Sequence, residues 1–199
     1  MSVVADRMAA IGPGRLVLVV GPSGAGKDTL LGLVQAACRG DDRVVFARRV
    51  VTRASSPHEN NAQVTPDAFA IAVGQGAFAV WWEAHGLHYA LPRSIDDEIA
   101  SGRTVVANVS RTVIAALRRA YANVVVVSVT APMEVLAARL VARGRASDGP
   151  INARLNRSTA TAQVVADIVI DNVGPAETHA QTLLDVVSTD RSCKRGGDS

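Results

Sequence analysis

The chain has 199 residues, of which 48% are apolar and 20% charged, proportions typical of one globular domain with a sizeable core. The formal net charge is only +3 and no aromatic cluster accompanies the basic residues, which disfavours nucleic-acid binding and favours anionic small molecules as partners. The apolar runs, such as the valine-rich Val124–Val129, are too short to cross a membrane, and the two cysteines lack metal-ligand or redox spacing. These features predict a cytoplasmic protein.

The N-terminal half of the chain predicts a strand, a glycine-rich loop and a helix, followed by a β-rich insertion. Residues 1–14 are expected to be a flexible lead-in, and residues 52–92 a small insertion that binds the second substrate. Thr65 and Pro66 are a typical helix start, as N-cap and first helical residue. Another helix is predicted at Thr29–Cys38. The predicted strands of this half are Arg15–Val20, Val44–Val51, Phe78–Glu83 and Leu87–Leu91.

In the C-terminal half, apolar strands alternate with helices, and a polar tail over residues 188–199 is expected to be disordered. The predicted strands are Thr104–Val109, Asn123–Val129 and Ile168–Ile170. The predicted helices are Ser94–Ala100, Thr112–Ala120, Ala131–Arg143, Ile151–Val164 and Pro175–Val187. Apolar strands separated by helices predict an α/β domain over residues 15–187, built on a parallel five-stranded sheet with helices on both faces.

The glycine-rich segment Gly21–Thr29 lies between the first strand and the first helix. Glycines let such a loop curl so that its N–H groups converge on phosphate oxygens, and the following helix adds the positive end of its dipole. Lys27 would reach the β- and γ-phosphates of ATP as a mobile charge. The pattern therefore predicts the phosphate-binding loop of a P-loop NTPase. Its expected nucleotide ligands are Gly21, Pro22, Ser23, Gly24, Ala25, Gly26, Lys27, Asp28 and Thr29.

Asp28 occupies the position at which such loops usually carry the Ser or Thr that binds Mg²⁺. Because Mg²⁺ prefers oxygen ligands, the Asp28 carboxylate is expected to hold the metal directly or through water. Alternatively, Asp28 only offsets the positive end of the helix dipole. The loop and this carboxylate make ATP and Mg²⁺ the expected cofactors. The four histidines show no metal-ligand spacing.

Arginines on two predicted helices suggest a mobile lid over residues 139–157. Arg139 and Arg143 lie one turn apart on one helix, and Arg154 and Arg157 lie three residues apart on the next. Phosphoryl transfer depends on positioning and charge stabilisation, which an arginine lid over the transferring group supplies. The alternative is a solvated charged face.

The insertion is expected to bind the acceptor. Arg48, Arg49 and Arg53 cluster where the second predicted strand ends, and open parallel sheets bind ligands at that edge. Arg53 is the favoured residue for gripping an acceptor phosphate, with a solvated loop position as the alternative. Trp81 and Trp82 are adjacent on a strand and must point to opposite faces, so one is expected in the core and the other beside the acceptor pocket.

With these features the chain resembles the guanylate kinase family of nucleoside monophosphate kinases over about residues 15–187. The matching motifs are Gly-Pro-Ser-Gly-Ala-Gly-Lys in the loop, Val51-Thr52-Arg53, the stretch from Phe78 to Tyr89, and Arg139–Gly144. The resemblance implies a small kinase that closes over two substrates. It also implies that Arg53 and Tyr89 bind the acceptor phosphate, and that the lid uses Arg139, Arg143 and either Arg154 or Arg157.

Departures from the family's pattern all fall in the acceptor site. Val80 stands where the family has its guanine-reading carboxylate, Leu91 where it has a Ser or Thr, and Ser56 where it has a second phosphate arginine. The family's Asp-x-Asp motif becomes Asn108-Val109-Ser110. Buried donors without partners are costly, so a site with these replacements should reject guanine.

The departures are similar to one branch of the family, the ribose 1,5-bisphosphate phosphokinases of phosphonate degradation. The shared motifs are Gly-Lys-Asp in the loop, Glu59-Asn60, Asn108–Arg111, Arg143–Arg145 and Ile151–Leu155. The resemblance implies transfer of the ATP γ-phosphoryl group to the 1-phosphate of ribose 1,5-bisphosphate, which gives 5-phosphoribosyl 1-diphosphate. The expected acceptor residues are Arg53, Glu59, Tyr89, Asn108, Ser110 and Arg111. Of these, Arg111 is the candidate for the second phosphate.

Two other functions are compatible with the sequence. A guanylate kinase proper is disfavoured by Val80, Leu91 and Asn108. A non-catalytic binding module, which guanylate-kinase-like domains also form, is disfavoured by Lys27 and the arginine lid. The sequence does not indicate an oligomeric state.

Overall fold

The computed structural model describes residues 2–4, 9–52, 61–84, 86–143 and 165–188. In chain order, its strands are β1 (Ser2–Val4), β2 (Arg15–Val20), β3 (Val44–Phe46), β4 (Arg49–Val51), β5 (Asn61–Gln63), β6 (Phe78–Ala84), β7 (Leu87–Pro92), β8 (Thr104–Asn108), β9 (Val124–Thr130) and β10 (Ile168–Asp171). The helices are α1 (Lys27–Ala37), α2 (Pro66–Gly74), α3 (Ile95–Ala100), α4 (Ile114–Ala120), α5 (Met133–Arg143) and α6 (Ala176–Ser188). A 3₁₀ turn at Arg111–Val113 precedes α4.

Five of the strands form a parallel core sheet in the order β10-β9-β2-β8-β3. The central strand β2 is apolar on both faces: Leu16 and Leu18 face one hydrophobic cluster, whereas Val17 and Val19 face the other. Helices α3 and α4 pack against the first cluster, and α1 and α6 against the second. The predicted α/β fold, with a five-stranded parallel sheet covered on both faces, is therefore confirmed.

A second sheet, in the order β1-β6-β7-β4-β5, is built mainly from residues between Arg49 and Pro92. The prediction of one strand over Val44–Val51 was wrong, because the chain leaves the core sheet after the Ala47 N–H bonds to the Val106 carbonyl at 2.9 Å. The strand β3 ends there, and β4 begins in the second sheet.

Two short edge strands of the second sheet were missed by the sequence analysis. The strand β1 lies in the predicted flexible lead-in and pairs antiparallel with β6, while β5 lies in a predicted loop and pairs parallel with β4. Each has only three residues, which is too short for a periodic hydrophobic pattern. Their pairing depends on main-chain hydrogen bonds that composition does not reveal.

The second sheet has an inward face that packs on the core and an outward face that packs on α2. Cross-strand pairing places Val80 opposite Leu91 and Trp82 opposite Tyr89. These side chains form the inward face, and Val80, Trp82 and Leu91 are at most 2% exposed within the main core cluster. Trp81 instead contacts Phe69 of α2 on the outward face, with ring centroids 6.3 Å apart. The two adjacent tryptophans therefore point to opposite faces, as predicted.

Within the part of the chain that the structure describes, none of the helices has the length and apolar character needed to span a membrane.

Candidate active site

The glycine-rich loop follows β2, the central strand of the core sheet, and leads directly into α1. Gly26 is the N-cap of α1 in a left-handed conformation, with φ of 87°, and its carbonyl accepts the Leu30 N–H at 3.0 Å. Such a loop turns backbone N–H groups toward the space beyond the strand ends, where the helix dipole is positive. The arrangement is that of an anion-binding site.

Two glycines of the loop are required by close approaches of neighbouring elements. Gly21 has φ of 147°, and a Cβ there would collide with the Val129 carbonyl oxygen at the end of β9. A Cβ on Gly26 would collide with the side-chain amide of Asn172, which follows β10. The loop is therefore packed against two neighbouring strand ends, and only glycine fits at these two positions.

Asn172 fixes the loop through a side-chain hydrogen bond. It is only 3% exposed, and its Nδ2 donates a 2.7 Å hydrogen bond to the Ala25 carbonyl in the loop. Its own main-chain carbonyl accepts a 3.0 Å hydrogen bond from Arg139 Nη2. One buried residue thus connects the phosphate-binding loop to the helix that carries the predicted lid arginine.

Arg139 directs its second terminal nitrogen toward the loop. Nη1 is buried, has no hydrogen-bond partner among the described residues, and lies 3.8 Å from where a Cβ on Gly26 would be. A buried cationic nitrogen without an acceptor is costly, so this geometry favours an anion as the missing partner. The structure thereby places one predicted catalytic arginine beside the predicted phosphate loop.

The Lys27 ammonium group lies over the loop that precedes it. Nζ donates to the main-chain carbonyl oxygens of Gly21 at 2.8 Å and Pro22 at 2.9 Å. These carbonyls keep the positive charge at the mouth of the loop. Because ammonium bonds to neutral carbonyls are readily exchanged for bonds to phosphate, the lysine can turn to a bound nucleotide.

Asp28, a predicted ligand of the nucleotide and its metal, is in contact with Asn108, a predicted ligand of the acceptor. Asn108 Nδ2, at the end of β8, donates a 3.0 Å hydrogen bond to Asp28 Oδ1 at the start of α1. The contact fixes the carboxylate at the sheet edge where the loop opens. The described residues contain no group of three or more His, Cys, Asp or Glu able to hold a metal, so a cation here would rely on Asp28, phosphate oxygens and water.

Ser110 and Arg111 follow Asn108 and begin the 3₁₀ turn. The Ser110 hydroxyl accepts the Thr112 N–H at 3.3 Å, which makes Ser110 an N-cap, and it also contacts the Thr112 hydroxyl at 2.9 Å. Ser110 thus has a local structural use alongside the acceptor role predicted for it. Arg111 is partly exposed at the start of the turn.

Tyr89, the predicted acceptor ligand on β7, forms the middle of a stack that crosses three strands. Its ring lies parallel to the buried Trp82 ring, with centroids 5.7 Å apart and planes at 11°. On the other side, the Arg49 guanidinium carbon lies 6.0 Å from the tyrosine ring centroid. Trp82 therefore fixes the tyrosine from within the core and does not line an open pocket.

Several predicted site residues lie outside the described residues. These are Arg53 and Glu59 in the insertion, Arg154 and Arg157 in the lid, and the predicted helix Ile151–Val164. Arg143 ends α5, and its side chain is likewise outside the description. Their roles remain predictions.

Sequence reasoning did not identify Asn172 as a residue that holds the loop, and it named Arg49 only within an arginine cluster in which Arg53 was favoured. The signal for Asn172 was its place directly after a short apolar strand, at the sheet edge where ligands bind. The position of Arg49 on a core-facing strand could have indicated its place, but one strand was predicted over Val44–Val51 where the structure has β3 and β4.

The fold and the loop define a P-loop kinase with a second sheet facing the nucleotide edge. A profile of the guanylate kinase family matches residues 13–188, and the chain belongs to that family.

Relatives with closely similar sequences carry a more specific name. The ribose 1,5-bisphosphate phosphokinase PhnN of Bradyrhizobium diazoefficiens is 62% identical over 178 residues, covering 89% of this chain and 90% of that protein. The protein of the same name from Rhodopseudomonas palustris is 59% identical over 177 residues, with coverages of 89% and 90%. In fold, the chain is similar to guanylate kinase from Anaplasma phagocytophilum, with a TM-score of 0.61, 20% identity, and coverages of 90% and 86%.

Replacing Asn172 with Ala should weaken both the fold and ATP binding. The change leaves the buried Ala25 carbonyl without its donor, which costs about 1–3 kcal/mol of unfolding free energy. It also frees the loop, so the Kd for ATP should rise about tenfold, equal to about 1.4 kcal/mol. Urea denaturation and ATP titration measure the two effects. The matched control is Asp171→Ala, which removes the exposed neighbour. If Asn172→Ala behaves like this control, Asn172 does not hold the loop.

Proposed function

We propose that this chain is an ATP-dependent kinase that phosphorylates the 1-phosphate of ribose 1,5-bisphosphate, giving 5-phosphoribosyl 1-diphosphate and ADP. The observation that carries the choice of acceptor is the closed inward face of the second sheet, where Val80 and Leu91 are fully buried. The names of the relatives support the same substrate. We place the reaction in the cytoplasm, as a step of phosphonate degradation with small molecules as its only substrates.

The donor side is assigned to the phosphate-binding loop. The loop N–H groups and the start of α1 would bind the β- and γ-phosphates of ATP. Lys27 would exchange its bonds to Gly21 and Pro22 for bonds to phosphate oxygens, and Arg139 Nη1 would gain the acceptor that it lacks. An oxygen of the sugar 1-phosphate attacks the γ-phosphorus, the bond to the bridging β–γ oxygen breaks, and ADP leaves. These residues stabilise the charge on the transferring group.

The acceptor side excludes a nucleobase through packing. The Val80 and Leu91 side chains fill the position at which the resemblance places guanine-reading polar groups, and neither is exposed. Trp82, on the same face, adds a bulky ring in contact with Tyr89. A base entering this face would have to displace core side chains and leave its own donors unpaired. A sugar phosphate needs only cationic and hydroxyl-bearing side chains at the edge of this packed face.

Asp28 is the residue that would hold Mg²⁺. Its Oδ1 is oriented by Asn108, and an aspartate at a helix start beside a phosphate loop suits a cation that keeps most of its water. When bound, Mg²⁺ supplies positive charge between the phosphate groups. We assign Asn108 the positioning of this carboxylate.

The kinase should use ribose 1,5-bisphosphate at least about a thousandfold more efficiently than GMP, because two or three missing hydrogen bonds at about 1–3 kcal/mol each separate the two acceptors. The measurement is kcat/KM for each acceptor with Mg-ATP. The assay detects the ADP released and the diphosphate product formed. Adenosine monophosphate serves as a control for nucleotides in general. Efficient GMP phosphorylation without activity on the sugar bisphosphate would overturn the substrate and leave the family unchanged.

Asp28→Ala should raise the Mg²⁺ concentration needed for half-maximal turnover by about tenfold or more, because the cation loses its proposed protein ligand. Binding of metal-free ATP should not weaken, since the change removes a negative charge near the phosphates. Asn108→Ala should also raise the Mg²⁺ concentration needed for half-maximal turnover, but by a smaller factor. A Mg²⁺ titration of Asp28→Ala that overlays the parent's would leave Asp28 only its charge at the helix start.

A further inference from the structure

Arg49 is an arginine on the inward face of the second sheet. It lies on β4 in register with Asn61 of β5 and two residues before Val51, which pairs with Tyr89 of β7. Residues two apart on a strand share a face, so Arg49 projects on the same side as Tyr89 and Trp82. On the same face, the neighbouring strands β6 and β7 present Val80, Trp82 and Leu91, which are apolar and buried, so a charged side chain there is unusual.

The Arg49 side chain is held in place at two points. Its Nε donates a 3.3 Å hydrogen bond to Oδ1 of Asn61, a residue that is only 6% exposed. Its guanidinium carbon lies 6.0 Å from the Tyr89 ring centroid, within cation–π range. Trp82 supports the tyrosine from the opposite side. The stem of the arginine is thereby oriented before any ligand arrives.

The two terminal nitrogens of Arg49 are left for a ligand. Within the described residues, neither Nη1 nor Nη2 has a hydrogen-bond partner or a carboxylate in contact. A planar guanidinium with two outward N–H groups binds phosphate with two parallel hydrogen bonds. The neighbouring Arg48 differs, because it is exposed and its Nη2 donates to the Asn61 carbonyl at 3.0 Å.

We propose that Arg49 binds the second phosphate of the acceptor, the 5-phosphate of the sugar, and so selects a bisphosphate. This inference rests on the proposed function. The phosphate that receives the γ-phosphoryl group must meet Lys27 and Arg139 at the loop, whereas the half-buried Arg49 lies in the second sheet and has no carboxylate partner among the described residues. The assignment replaces Arg111, which is half-buried like Arg49 but makes no side-chain hydrogen bond or ring contact within the described part of the chain.

The test separates the two phosphates by using sugars that carry one each. Arg49→Ala should raise the Kd of ribose 5-phosphate about 100-fold, the cost of removing one partner of a hydrogen-bonded charge pair, and change the Kd of ribose 1-phosphate less than about threefold. The KM for ribose 1,5-bisphosphate should rise by about the same factor as the Kd of ribose 5-phosphate. Arg49→Lys should recover part of the loss, because it keeps the charge and loses the bidentate geometry. Calorimetric titration gives the binding constants, and thermal unfolding checks the fold.

Arg48→Ala is the matched control, because it removes the same charge from the adjacent position. An equal loss for both sugar phosphates in Arg49→Ala would overturn the inference, as would an effect confined to ribose 1-phosphate or an effect matched by Arg48→Ala. If Arg49→Ala does not fold, Arg49→Lys decides by the same comparison. A parent protein that binds neither the bisphosphate nor its two halves would overturn the proposed function as well. A parent that binds all three, with the Arg49 variants unchanged, would overturn this inference alone.

Discussion

A hydrogen bond from the buried Asn172 amide to the Ala25 carbonyl joins the last strand of the core sheet to the phosphate-binding loop. The loop has little room to move, because a side chain on Gly26 would occupy the position of this amide. The carbonyl of Asn172 also accepts from Arg139 Nη2, and Arg139 Nη1, which has no partner among the described residues, lies close to the loop. The loop, the end of β10 and helix α5 are therefore held together, which reduces the cost of ordering them when a nucleotide binds.

In the function that we propose, the second sheet determines which acceptor the kinase uses. Its inward face is filled by Val80, Trp82 and Leu91, which belong to the same core cluster as the central strand of the main sheet. Selection against a base therefore follows from packing, and the same side chains that stabilise the fold exclude the wrong acceptor. Tyr89 and Arg49 add polar groups to that face, and these groups suit phosphate.

Much of the fold could be predicted because its signals are local and strong. The apolar runs of the core strands and the glycine-rich loop predicted the parallel sheet and the position of the phosphate site. The edge strands β1 and β5 could not be predicted, since three residues carry no period and their pairing is set by distant partners. The hydrogen bond from Asn172 to Ala25 joins residues 147 positions apart, and the one from Asn108 to Asp28 joins residues 80 positions apart. The sequence pattern does not show which distant residues meet.

The most direct test of the account uses Trp82 as a reporter of the acceptor site. The chain has two tryptophans, so Trp81→Phe leaves Trp82 as the sole one, stacked on Tyr89. Titrating this variant with ribose 1,5-bisphosphate should produce a saturable change in tryptophan fluorescence, whereas GMP at the same concentrations should produce none. A saturable response to GMP with none to the bisphosphate would contradict the claim that this packed face excludes bases while a sugar phosphate binds beside Tyr89.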